Sequence, residues 1–364
     1  MINPTPLISL YGWSDRDGQT FAPYVAQGYV PGRVVVQQRG LYTLVTDHGE
    51  LRAQLAGRLA HDAQEGGYPV VGDWVAVAAR PAEGAATIHA ILPRRTTFVR
   101  KAADTVQTVQ VVAANVDVAF LVASVNADFN LRRLERYLAT AWQSGARPVV
   151  VLTKADLCDE PDGVVAAAEA VAFGTPVLAV SAVTGDGMAE LAAHLMPGET
   201  CVLVGSSGAG KSTLVNAFAG SERMVTAGIR EDDARGRHTT THRELVRLPG
   251  GALILDTPGM RELGLIDAEE GLGAAFDDIE ALAQDCRFSD CGHGNEPGCA
   301  MRAALETGQL DPDRWRSFQK LQRELAHLDR KEDRVARDAE KRRWIARNKA
   351  YRAGLKIKQK DPWQ

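Results

Sequence analysis

Cys201-Val202-Leu203-Val204-Gly205-Ser206-Ser207-Gly208-Ala209-Gly210-Lys211-Ser212-Thr213 carries an apolar run into a glycine-rich turn, and Leu214 to Phe218 continue as a helix-forming segment. Strand, tight loop, helix is the setting in which Gly-x-x-x-x-Gly-Lys-Ser binds phosphate. The glycines permit backbone angles closed to other residues, so N–H groups can converge on anionic oxygens. Lys211 is then placed to bridge the β and γ phosphates of a nucleotide, and Ser212 to offer its hydroxyl to Mg²⁺. The helix adds the positive end of its dipole. The loop alone leaves GTP, ATP and kinase chemistry open.

The flanking segments narrow the choice. Upstream, Thr153-Lys154-Ala155-Asp156 follows the apolar run Val149 to Leu152, and Ser181-Ala182 follows Val177 to Val180. A carboxylate two residues after such a lysine can accept both N1–H and N2–H₂ of guanine, donors that adenine does not offer there. The lysine stem can lie along the base. Downstream, Asp256-Thr257-Pro258-Gly259 ends another apolar strand, where Asp256 would bind Mg²⁺ through water and the amide of Gly259 would sense the γ phosphate. Each tetrapeptide is weak alone; their joint placement after successive strands is what specifies a guanine-nucleotide site. Their order is inverted, with the base-reading segments ahead of the phosphate loop.

Between the phosphate loop and Asp256 lies the polar stretch Ser221 to Thr241, rich in Gly, Arg and Asp. Its composition suggests a switch ordered through Mg²⁺ by Thr239, Thr240 or Thr241, with Thr240 the expected ligand. Met260 stands just after Asp-x-x-Gly and cannot orient a water. His238, beside the threonines, is the expected catalytic group, with a purely packing or RNA-binding role as the alternative.

Working outward, strand and helix signals alternate from Val116 onward, predicting a parallel sheet flanked by helices. Before it, Val34–Val36, Leu41–Val45, Leu51–Leu55, Asp73–Val77 and Thr87–Ile91 are short strands broken by turn residues. Five such strands suit a small barrel of the oligonucleotide-binding (OB) type, and an SH3-like barrel would give nearly the same pattern. The expected division is an N-terminal extension (1–31), the barrel (32–93), a linker (94–109), the nucleotide-binding domain (110–268), a helical domain (269–340) and a basic tail (341–364).

Cys286, Cys291, His293 and Cys299 fall within fourteen residues among Gly292, Gly294, Pro297 and Gly298. Three thiolates and one imidazole are the donors of a closed tetrahedral zinc site with no position left for a catalytic water, so one structural Zn²⁺ is expected. The odd set of five cysteines also argues against a disulfide framework. Net charge is −4, which excludes a general polyanion binder, yet Lys341 to Lys360 holds nine Lys/Arg and no acid, with Trp344 and Tyr351 between them. Basic charge with stacking rings, joined to a barrel, predicts an RNA partner. No long apolar run and no leader-like N-terminus are present, so a cytoplasmic protein with no membrane partner is expected.

With these residues in place, the chain resembles the bacterial circularly permuted GTPases that depend on the small ribosomal subunit. The marks are Thr153 to Asp156 ahead of Gly205 to Thr213, then Gly236 to Thr241, Asp256 to Gly259, and the three cysteines with His293. The resemblance covers nearly the whole chain; Thr153 departs from the asparagine commonest at its position. It implies an OB-type β-barrel, a permuted α/β phosphate-loop GTPase domain and a zinc-binding α-helical domain. It further implies a Mg²⁺-dependent GTP hydrolase, binding GTP and GDP as a monomer, that clamps 16S rRNA of the small subunit late in 30S maturation and leaves on hydrolysis. Two rivals remain: an RNA-binding protein with GTP as an allosteric ligand only, and a kinase built on the same loop.

Overall fold

The computed structural model describes residues 5–38, 40–101, 109–125, 129–220, 243–256 and 269–326. Strands β1 (Val30–Gln38), β2 (Leu41–Thr46), β3 (Gly49–Leu55), β4 (Trp74–Arg80) and β5 (Ala85–Ile91) close a barrel in the order β1-β2-β3-β5-β4-β1. The β3–β5 pair is parallel and helix α2 (Gly57–Gly66) lies between β3 and β4, which selects the OB arrangement over an all-antiparallel SH3-like barrel. Val34, Leu44, Leu51, Val75, Val77 and Ile88 alternate along their strands and fill its interior.

The second part of the sheet holds β8 (Val118–Ser124), β9 (Arg147–Thr153), β10 (Val177–Val180), β11 (Thr200–Val204) and β13 (Leu253–Asp256), parallel in the order β10-β9-β8-β11-β13, with β12 (Arg243–Arg247) antiparallel at the end. Both faces are covered, so β8 reads as one apolar run. Val118, Phe120 and Val122 join Leu191 of α5 (Met188–Ala193) and Leu214 of α6 (Lys211–Ala219) on one side. Ala119 and Leu121 join Leu134 and Leu138 of α3 (Leu131–Ser144) on the other. Helix α3 starts where Asn130 accepts from the Arg133 amide at 3.0 Å and stops at left-handed Gly145. Helix α4 (Pro161–Glu169) follows β9.

Among the described residues the C-terminal module holds α7 (Glu269–Ala275), α8 (Asp277–Gln284), α9 (Ala300–Thr307) and a helix over 312–326, here α10. Its apolar residues Phe276, Ile279, Phe318, Leu321 and Leu325 belong to the same core as α3. Gly271 lets α7 approach closely: a Cβ there would stand 2.3 Å from the Ala139 carbonyl.

Three stretches differ from the sequence reading. Residues assigned to the N-terminal extension begin with a 3-10 turn (Leu7–Tyr11) and helix α1 (Asp15–Val25), whose Ile8 and Phe21 pack with Trp74 against the barrel, and β1 itself starts at Val30. The stretch taken as a linker contains β6 (Thr97–Lys101), paired with β7 (Val109–Ala114), with Phe98 buried in the main core. Its arginines had masked a short strand. Third, β12 joins β1 antiparallel, so barrel and nucleotide domain share one 11-stranded sheet.

Candidate functional site

The carboxyl ends of β8, β9, β10, β11 and β13 lie along one edge of the sheet, where ligands of open α/β folds bind. The phosphate loop leaves β11 at Gly205. A Cβ on that residue would sit 2.2 Å from the Val122 carbonyl of β8, so only glycine fits. Gly208 and Gly210 take φ of +76° and +88°. Helix α6 then begins with no side-chain cap, leaving its first N–H groups for an anion. Lys211 Nζ donates to the Gly205 and Ser206 carbonyls at 2.8 and 2.5 Å, which holds the ammonium across the loop. Ser206, Ser207, Ala209, Ser212 and Thr213 occupy the loop and first helical turn as the motif requires, with Ala209 buried and Ser207 exposed.

The segment Thr153 to Asp156, expected from the sequence to read the base, reaches the same loop. Thr153, 4% exposed at the end of β9, donates its hydroxyl to the Ala209 carbonyl at 2.7 Å, with the Ala123 carbonyl 3.3 Å away. A Cβ on Gly210 would stand 3.2 Å from the Thr153 hydroxyl, so glycine permits this approach. Lys154 follows in the left-handed region at φ +62°, a conformation that persists where the surroundings enforce it. It throws Ala155 and Asp156 into a 3-10 turn (Ala155–Leu157) with Asp156 exposed at the site edge.

Ser181, at the end of β10, is buried and accepts from the Val183 and Thr184 amides at 3.3 and 3.1 Å. The hydroxyl therefore builds the loop that presents Ala182. Asp256 ends β13 beside β11, on the strand edge that the phosphate loop leaves. His238, Thr240 and Gly259 lie outside the described residues.

A second site sits in the C-terminal module. The ligand atoms of Cys286, Cys291, His293 and Cys299 all lie within 4.8 Å of one another. His293 Nδ1 is 3.5 Å from Cys286 Sγ and 3.8 Å from Cys299 Sγ, close to the edges of a tetrahedron with metal bonds of about 2.0–2.3 Å. Cys286 follows α8, Cys299 precedes α9, and left-handed His293 and Gly298 bend the chain between them. The donor set fits zinc, and Trp315 of α10 packs edge-on against the His293 ring.

Several buried charges were not anticipated, Glu135 and Arg33 foremost. Glu135 of α3 is 0% exposed and accepts from Arg132 at 2.5 Å, Arg314 at 3.2 Å and Ser317 at 2.6 Å, the last two from α10. Burial pushes its carboxyl above the ordinary range despite these donors. Arg314 also reaches Asp278 at 2.5 Å and lies over the Phe276 ring. Arg33 of β1, also 0% exposed, donates to the carbonyls of Tyr11 and Asn115 and to the Thr200 hydroxyl and lies over Trp74. Burial lowers Arg33 to about 10, which leaves it charged at neutral pH. For Arg33 the available signal was a lone charge beside the apolar run Val34 to Val36; Glu135, among Arg132, Arg133 and Arg136, carried no such signal.

The phosphate loop, the Thr153–Asp156 turn and Asp256 stand on one sheet edge with the Thr153 strand first in the chain, the arrangement of a circularly permuted phosphate-loop GTPase. The RsgA GTPase family model matches residues 91–266. A "Small ribosomal subunit biogenesis GTPase RsgA" of Opitutus terrae is 48% identical over 360 residues, covering 96% of this chain and 98% of that protein. One from Streptomyces coelicolor is 45% identical over 354 residues, covering 96% and 95%. YjeQ of Thermotoga maritima superposes with a TM-score of 0.62 at 28% identity, covering 82% of this chain and 99% of that one. YloQ, described as a circularly permuted GTPase, gives 0.61 at 26%, covering 82% and 96%. The chain belongs to the RsgA GTPase family.

Proposed function

We propose that this GTPase acts in maturation of the small ribosomal subunit, binding 16S rRNA in its GTP state and leaving after hydrolysis. The observation that carries the nucleotide reading is the Thr153–Ala209 hydrogen bond, which joins the guanine-reading turn to the phosphate loop. The relatives' shared name supports the ribosomal role. Asp156 reads N1–H and N2–H₂ of guanine, and Lys154 with Ala182 borders the base. Lys211 and the amides of Gly205 to Thr213 hold the phosphates. Ser212, Thr240 and Asp256 supply the hard oxygen donors that Mg²⁺ prefers, Asp256 through water, and Gly259 senses the γ phosphate. When bound by these residues, Mg²⁺ would supply positive charge against the phosphates.

His238 orients the attacking water, the role that Met260 cannot fill. Zinc on Cys286, Cys291, His293 and Cys299 has a structural role, keeping the C-terminal module folded. The domain boundaries follow the order barrel, permuted GTPase, zinc module and basic tail, and the protein works as a cytoplasmic monomer. Among the described residues no helix is long and apolar enough to cross a membrane. GTP turnover titrated with purified small subunits tests the reading: turnover should rise saturably in the parent and stay at its basal rate in His238→Ala with nucleotide affinity retained. Turnover indifferent to subunits would favour the allosteric-ligand rival.

A further inference from the structure

The barrel touches the nucleotide domain through backbone, at a particular row. Val36 of β1 is the registered partner of Glu244 in β12, and Glu244 is in turn the registered partner of Asp256 in β13. Two antiparallel steps of about 5 Å each therefore separate the barrel strand from the aspartate. The adjoining pair, Gln37 with Arg243, is reinforced by side chains: Arg243 Nη1 lies 3.4 Å from Gln37 Oε1, and Gln37 Nε2 donates to the Pro69 carbonyl of the barrel at 3.0 Å. These two residue pairs are the registered pairing between β1 and β12, and they fall at the nucleotide edge of the sheet. Four residues earlier, at the opposite edge, Arg33 ties β1 to Thr200 at the start of β11. Strand β1 is thus pinned at the far edge and bears on β12 at the near one.

We propose that Val36 and Gln37 are positioning residues for Asp256, so that the barrel strand sets the backbone position of that residue through β12. A barrel held on RNA would then act on the nucleotide site through the sheet. The proposal rests on the assignment of Asp256 to Mg²⁺-bound water given above. A water-mediated contact is an outer-shell interaction, and disturbing such contacts typically weakens metal affinity by about tenfold or more.

The test uses the full chain and a non-hydrolysable GTP analogue, whose affinity is measured across a Mg²⁺ titration together with amide hydrogen exchange over 243–247. Gln37→Ala combined with Arg243→Ala should raise the half-saturating Mg²⁺ concentration by about tenfold and speed exchange in β12, while affinity at saturating Mg²⁺ stays at the parent value. Adding Val36→Cys and Glu244→Cys, a directly opposed pair, and oxidising them should restore the parent Mg²⁺ dependence by pinning the row. Asp256→Asn serves as the reference. If Asp256→Asn raises the Mg²⁺ requirement and the double alanine variant does not, or if the cross-link restores nothing, the positioning role is wrong. If Asp256→Asn leaves the requirement unchanged, the assignment of Asp256 itself fails and the proposal falls with it.

Discussion

The GTPase domain meets its two neighbours by different physics. Toward the barrel the contact is a strand ladder, β1 on β12, with buried Arg33 binding carbonyls of two segments and a hydroxyl of a third. Toward the C-terminal module it is helix on helix, α3 against α7 and α10, with Glu135 and Arg314 at the centre and Arg136–Glu324 and Arg132–Asp311 at the rim. A ladder has one register, since a slip by one residue reverses every side chain. Packed helices that interdigitate side chains around buried charges resist displacement by their packing rather than by a register. The barrel is therefore held to the nucleotide edge by backbone pairing, and the C-terminal module by side-chain packing and buried charge.

The largest effect that would separate the two junctions is metal removal. Structural zinc sites are worth roughly 10–16 kcal/mol of apparent binding energy in small domains. Chelation, or Cys291→Ser, should melt the C-terminal module and leave exchange-protected amides in the barrel and β8–β13; loss of protection throughout would mean that the modules fold as one unit. Next, Glu135→Ala leaves Arg314 buried with one partner fewer and should destabilise the chain by about 3–5 kcal/mol in denaturant unfolding, because breaking a buried pair exposes its desolvation penalty. The smallest is Arg33→Met, which keeps volume but orphans its acceptors and should lose about 2 kcal/mol, with the barrel still protected from proteolysis because the ladder remains. A larger loss from Arg33→Met than from Glu135→Ala would reverse the comparison.

Much of the nucleotide site was legible because its chemistry is local. Gly205 to Thr213 announces itself by spacing, and so do Cys286, Cys291, His293 and Cys299, whose four side chains cluster. What escaped the sequence joins distant residues. Thr153 and Ala209 are 56 positions apart, Arg33 and Thr200 are 167 apart, and Glu135 and Arg314 are 179 apart; no periodicity encodes such pairs. The barrel's strands could be read from their alternation, whereas the parallel β3–β5 pairing that separates OB from SH3-like could not. The hidden strand β6 shows the same limit, since Thr97-Phe98-Val99 is short and bracketed by Arg94, Arg95, Arg100 and Lys101.

For the two separated motifs to form one site, Asp156 and Lys211 must hold a single guanosine triphosphate. Calorimetry of Asp156→Asn against GTP and xanthosine triphosphate asks this directly, because an amide can donate to the xanthine 2-oxo group where the carboxylate accepted from guanine. The variant should lose GTP and gain the xanthine nucleotide, with Lys211 required for both. Retained preference for GTP in Asp156→Asn would place the base elsewhere and contradict the shared site.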